Sequence, residues 1–426
     1  GLRASGGMRA RAEAARPEGA GASGRQSIGN RGLWAPVTLS GLFLVHVAMA
    51  CLYGYVHSFP PDHLRTIDTW RFHQQGLQEL DTLKQDPLSF FGELFRDPYH
   101  SGFRRFFSTS GSYWNDLKNN VMVKLVTLFD LFSLGNYYTN LIFYNYIVLF
   151  GTTALYRVFH STYPGFGKLL LAAIAASPSI LFWGSGLHKE GLLFTAIALL
   201  LFHGHALLHR RKEWRSVAAM SIGALLVFIL RNNVVFALVP AFTAWWWSEK
   251  RGHRPWPVFL LVNTLGLLLF FGIPKLIPKL DPPMTMHLRQ RSFAALGGRT
   301  ALQVDELRPT LGGFIHNLPS AASFTFLHPL PGEGGKFYIP FTLELGLLFM
   351  LVLAAVFFPD RKKRGSALVL FSINFATLLF LIIGYCVPNV GAIIRYRSIG
   401  MPFLFIAFIV STDWKRFRSF FQYHTN

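Results

Sequence analysis

Charge is scarce in this chain and cysteine nearly missing. Asp, Glu, Lys and Arg make up only 15% of its 426 residues, against roughly 25% in an ordinary soluble domain. A soluble globule of this size is excluded. The only cysteines, Cys51 and Cys386, both lie in apolar stretches, so neither a disulfide framework nor a cysteine-rich zinc site can be built. No Walker A, HExxH or GxSxG pattern occurs, which leaves ATPase and common hydrolase chemistry without support. No repeat at a period of roughly 20–50 residues is evident either.

What the sequence has in quantity is apolar and aromatic residues. Hydrophobic residues reach 51%, Phe alone numbers 42, and the mean hydropathy is +0.34. These values describe an all-α, polytopic transmembrane helical bundle. The formal charge of +20 would suggest nucleic acid in a soluble protein. Here the basic residues fall in short runs between apolar segments, as orientation signals do, and no nucleic-acid partner is expected.

Residues 1–33 read as a disordered basic cytoplasmic tail, with Met8 nearer the expected start of translation and no cleavable signal peptide. Residues 34–418 form the integral membrane domain, and 419–426 a C-terminal tail. Apolar segments fall near 36–56, 137–159, 168–183, 191–208, 216–230, 234–247, 257–274, 338–358, 366–386 and 398–412, which makes about ten spans. Residues 120–134, which carry Lys124 and Asp130, read as an interfacial helix. With the tail inside, sixteen Lys and Arg fall in inside loops and four in short outside connections. Residues 57–119 and 275–337 then become two long extracytoplasmic loops, and Trp245–Trp247 an inner aromatic belt.

The inside loops are plain basic tracts, whereas the outside connections are mixed and set directly against apolar sequence. Charges in such positions are costly unless they face a protein-lined cavity. In SPSILFWGSGLHKEG (177–191), Pro178 can kink a span, Gly184 and Gly186 permit a turn, and Lys189 and Glu190 begin the next helix. Backbone N–H groups at that start, with Lys189, suit an anion, and Glu190 can orient Lys189 or act as acid or base. The plainer alternative is a hairpin turn with a stabilising Lys–Glu pair. Arg231 interrupts two apolar helices, and Arg395 and Arg397 follow Pro388, Asn389 and Gly391. Their guanidinium forks suit phosphate oxygens, although each can also snorkel to the interface.

In PPDHLRTIDTWRFHQQG (60–76), Asp62 or Asp68 can take a proton from an acceptor hydroxyl. With His63 and His73 they also admit a divalent-metal reading, at a spacing that matches no strong ligand motif. The structural alternative is an amphipathic helix packed through Trp70 and Phe72. In 275–337 several glycines suggest a lid or ordinary loop flexibility.

The early acids Asp62 and Asp68, the run Pro178-Ser179 with Phe182-Trp183-Gly184-Ser185-Gly186 and Lys189-Glu190, and the late Arg395-Tyr396-Arg397 together resemble bacterial membrane glycosyltransferases of the GT-C type and O-antigen-polymerase-like proteins of polysaccharide biosynthesis. The resemblance implies sugar transfer from a polyprenyl-phosphate- or pyrophosphate-linked donor to a glycan or lipid acceptor, on the outer face of a bacterial cytoplasmic membrane. Asp62 or Asp68 would be the base and Lys189, Arg231, Arg395 and Arg397 the phosphate ligands, with no certain cofactor beyond a possible Mg²⁺ or Mn²⁺. The chain departs from the family's pattern in lacking a paired acidic signature after the first span. The alternatives are a repeat-unit polymerase and a lipid-linked oligosaccharide flippase.

Overall fold

A computed structural model describes residues 36–59, 67–95, 113–209, 213–298, 300–333 and 335–424. Asp62, His63 and the basic tail lie outside them. Residues through Leu42 group apart, and from Phe43 onward the chain forms one compact unit. Among the described residues the structure is all helical, with two isolated β-bridges and no strand.

Helix α1 (Pro36–Val56) opens the fold, with Pro36 at the first helical position, where a missing N–H costs nothing. Most of the described sequence between it and the second apolar run is helical, not loop: α2 (Asp68–Gln85), α3 (Pro87–Gly92) and α4 (Tyr113–Ser133). Helix α2 is amphipathic and buries Thr69, Phe72, His73, Gly76 and Leu83, much as the structural alternative expected. All of the stretch 120–134 but Leu134 is the C-terminal part of α4, and it buries Met122, Val123 and Val126. Its two charges are partnered by neighbours, which is why an apolar helix can carry them. Lys124 pairs with Glu79 and, at 3.2 Å, with Glu93, and Asp130 accepts a 2.6 Å hydrogen bond from Asn140.

Asn136 caps α5 (Tyr137–Thr162) through the N–H of Thr139. Helices α6 (Gly167–Ala175) and α7 (Pro178–Ser185) meet at 51°, with Pro178 starting the second limb as its sequence position suggested. Then follow α8 (Lys189–His209), α9 (Trp214–Leu230), α10 (Asn232–Arg251) and α11 (Pro255–Leu276). The second long segment, expected as loop, contains α12 (Pro282–Leu296) and α13 (Leu311–Phe326). Helices α14 (Ile339–Phe357), α15 (Arg361–Arg364) and α16 (Ala367–Cys386) lead to α17 (Val390–Arg397) and α18 (Met401–Ser411), which meet at 60°, and to α19 (Trp414–His424).

Among the described residues six helices are long and apolar enough to cross a membrane, namely α1, α5, α8, α11, α14 and α16, and counting each bent pair as one span raises the number to eight. All ten apolar segments are helical. Helix α9, however, has only 17 residues, and α10 carries Asn232, Asn233, Glu249, Lys250 and Arg251 at its ends, so neither reaches the length and hydropathy of a full span.

Burial separates the helices into inner and outer sets. Helix α16 lies inside and meets α13 so closely that a Cβ on Gly384 would come 2.0 Å from the Ala321 carbonyl oxygen, the small-residue packing that membrane helices use. On α11 and α14, by contrast, Leu260, Leu268 and Met350 are 70%, 64% and 68% exposed, faces suited to lipid. Trp245 is not part of an aromatic belt: it is 1% exposed and packs 5.9 Å from Phe371 in the core.

Candidate functional site

Three helices and the junction between α9 and α10 bring the central charges together. Glu190, in the first turn of α8, is completely buried. Its Oε1 receives Arg231 Nη2 at 2.8 Å. Arg395 of α17 lies against both oxygens, with Nη2 hydrogen-bonded to Oε2 at 3.1 Å and Nε in ion-pair contact with Oε1 at 2.9 Å. The same Arg395 Nη2 reaches Asp68 Oδ2, at the start of α2, at 2.9 Å. The other oxygen of Asp68 takes Arg71 at 2.7 Å. One guanidinium therefore joins two carboxylates that lie 122 positions apart in the sequence.

Local structure explains these placements. Arg231 falls between α9 and α10, where extended backbone (φ −158°, ψ 85°) turns its side chain out of the helical path, and its guanidinium stacks 3.8 Å over the Tyr396 ring. The turn ahead of α8 is tight because Gly191 has no side chain: a Cβ there would lie 2.2 Å from the Gly184 carbonyl oxygen. Asn389 caps α17 through Ala392 N. The strand-like stretch at 300–302 pairs with 388–390 through Leu302 N to Pro388 O and Val390 N to Thr300 O, both 2.9 Å, so the second long segment holds the start of α17.

Lys189 donates to Asn119 Oδ1 of α4 at 2.6 Å and lies 5.3 Å from the Phe72 ring. A cation in the first turn of a helix works against the helix dipole, so fold stability alone gives little reason for it. Lys118, the neighbour of Asn119, is pushed down to about 8 by burial and then by the charges of Arg289 and Arg231. Burial alone would raise the Asp68 carboxyl, but Arg395, with Arg71 and Lys189, holds it well below the ordinary carboxylate range. Arg71, Lys118, Lys189, Arg231 and Arg395 thus surround Asp68 and Glu190, with Asp116 near Lys118, an excess of positive charge.

Arg397 does not join this cluster. Two positions along a helix turn a side chain by about 200°, and Arg397, wholly buried, points the other way to donate to the carbonyls of Thr325, at 2.9 Å, and His328. Across from it Glu344 of α14 accepts from Ser177 and, at 3.0 Å, from Ser179 at the α6–α7 break. Sequence reasoning gave no role to three members of the region, Lys118, Tyr396 and His188, although Tyr396 stands in the quoted Arg395-Tyr396-Arg397 run. His188 Nε2 contacts Tyr53 OH, and burial followed by the charge of Arg395 pushes its imidazole down to about 3.

Among the described residues no group of three or more His, Cys, Asp or Glu side chains is arranged to hold a metal ion. Asp68 and Glu190 are already engaged by guanidinium groups, a poor donor pair for Mg²⁺ or Mn²⁺. The arrangement instead suits an anion that competes with the carboxylates for the arginines. No protein-family model, curated protein or solved structure matches the chain.

Proposed function

We propose that the chain is a polytopic membrane glycosyltransferase that takes its sugar from a polyprenyl-phosphate- or polyprenyl-pyrophosphate-linked donor. The observation that carries this reading is the convergence of Asp68 and Glu190 on Arg395, with Arg231, Lys189 and Lys118 supplying further positive charge. In this reading the cations hold the phosphate oxygens, and stabilising the departing phosphate is the protein's main contribution to rate. Asp68 takes the proton of the acceptor hydroxyl. While Arg395 rests on it, Asp68 is a weak base. A phosphate that draws Arg395 away restores its basicity, so the base is armed by the donor.

The Lys/Arg bias supports an extracytoplasmic site on a bacterial inner membrane with the N-terminus in the cytoplasm. Helix α5 runs from Tyr137, which bonds Thr69 of α2 near the site, to a C-terminus where Tyr163 meets Ser366 beside the basic run 361–364. The cluster and the topogenic charges therefore lie at opposite ends of roughly 39 Å of helix. A second reading, a flippase for a lipid-linked oligosaccharide, draws on the buried Glu344 and Arg397 beside two broken helices, a setting in which transporters place their sites.

The test is sugar transfer in membranes from a radiolabelled polyprenyl-linked donor. Asp68→Asn is expected to lower transfer by about 10²–10⁴-fold while donor binding persists, whereas Arg395→Gln loses donor binding as well. Undiminished transfer by Asp68→Asn overturns the base assignment. Movement of labelled lipid between leaflets without glycosidic bond formation favours the flippase.

A further inference from the structure

At the end of the molecule away from the ionic cluster, two basic stretches far apart in sequence are fastened side by side. Pro359 bridges to Thr412, Asp360 N donates to Ser411 O, and Asp413 N donates to Phe358 O, both at 2.8 Å. This pairing sets α15 (Arg361, Lys362, Lys363, Arg364) beside α19 with Lys415, Arg416 and Arg418. The two acids in the region are engaged locally. Asp360 caps α15 through Lys363 N and pairs with Lys363 Nζ at 2.7 Å, and Asp413 Oδ1 accepts from Lys415 N and Arg416 N at 3.1 and 3.2 Å. In these two stretches, among the described residues, seven cations stand against two carboxylates, and Arg361, Lys362, Arg364, Lys415, Arg416 and Arg418 are all exposed.

Helix α19 is divided between two faces. At 100° per residue, Trp414, Phe417, Phe420 and Phe421 fall within about 120° of the wheel, with the three cations opposite. The aromatic side packs on Phe358, whose ring lies 5.5 Å from both Phe417 and Phe420. Phe420 and Phe421 nevertheless remain 47% and 52% exposed. Through Phe358 this face continues into the outward surface of α14, where Phe357 is 71% exposed. An aromatic face continuous with a lipid-suited flank, bordered by unneutralised cations, matches one occupant: the anionic surface of a bilayer.

We propose that α15 and α19 form a cationic and aromatic platform that binds the headgroups of anionic phospholipids. This goes beyond orientation of the spans, because it makes the platform selective for lipid type, and it does not depend on the reading of the ionic cluster.

The test uses the full chain in phosphatidylcholine nanodiscs, with an environment-sensitive fluorophore on Phe421→Cys in a Cys51→Ser background. Phosphatidylglycerol is then titrated in. The emission is expected to shift to the blue as α19 docks, and high salt should reverse the shift. K415Q/R416Q/R418Q should weaken the apparent association on the order of 100-fold, while K415R/R416K/R418K retains it. Equal shifts in neutral and anionic discs, or no shift in either, overturn the proposal. A shift that grows with the number of chains per disc assigns the face to a second copy and overturns it equally.

Discussion

Arg395→Met tests the centre of the site most directly. The substitution leaves Glu190, which is 0% exposed, with Arg231 as its remaining partner, and leaves Asp68 with Arg71. Breaking a buried ion pair by removing one partner costs about 3–5 kcal/mol, most of it from the stranded charge. The Asp68 arm, 25% exposed, adds less than about 1 kcal/mol. Arg71→Met provides the comparison, because Arg71 is 39% exposed and three residues from Asp68, a geometry worth about 0–1 kcal/mol. Arg395→Met/Glu190→Leu should recover part of the loss, since no buried carboxylate is then left short of charge. The assay is reversible unfolding in mixed detergent micelles, followed by tryptophan fluorescence.

Linkage gives the same experiment a second readout. The folded-state pKa of Asp68 lies below its unfolded value, so its stabilising contribution is present above about pH 4 and is lost as pH falls towards the folded value. Without Arg395 the raising effect of burial is less opposed, the folded-state pKa moves up towards or past the unfolded value, and the acid-side loss attributable to Asp68 shrinks or reverses. If Arg395→Met costs no more than Arg71→Met and leaves the acid limb in place, the cluster is not held as described.

Lys118 titrates near 8, so it is charged below that pH and neutral above. The affinity for a water-soluble prenyl phosphate should fall about 10-fold as pH rises through 8, and Lys118→Gln should flatten this step in a binding titration. Tyr396→Leu removes the ring 3.8 Å beneath Arg231 and should cost about 1–2 kcal/mol in the unfolding assay, with Tyr396→Phe neutral. Gly384→Ala would force a Cβ to 2.0 Å from a backbone oxygen and should destabilise by about 3 kcal/mol. Gly266→Ala on α11, where nothing lies within 4 Å, should be neutral or slightly stabilising.

Hydropathy made the helical, membrane-suited character of the chain legible, because long apolar runs are a signal that needs no tertiary context. The polar helices were harder to read. Helix α2 has a regular amphipathic pattern, whereas the helices of 275–337 contain Gly and Pro and gave little periodicity to follow. The count of spans differs because α9 and α10 are apolar but short or charged at their ends.

Within the site, Lys189, Glu190 and Arg231 drew notice because each interrupts apolar sequence. Lys118 did not, since its neighbours are polar and its proximity to Arg231 and Arg289 arises only when three helices meet. Arg395 and Arg397 looked equivalent in sequence, and helical rotation sent them to different partners.

The two-turn rod α17 carries those arginines on nearly opposite sides, and its start is sewn to residues 300–302. Any rigid rotation of that rod therefore moves both guanidinium groups, in opposite directions. A roll of α17 that carried Arg395 would also stretch the hydrogen bonds of Arg397 to the Thr325 and His328 carbonyls.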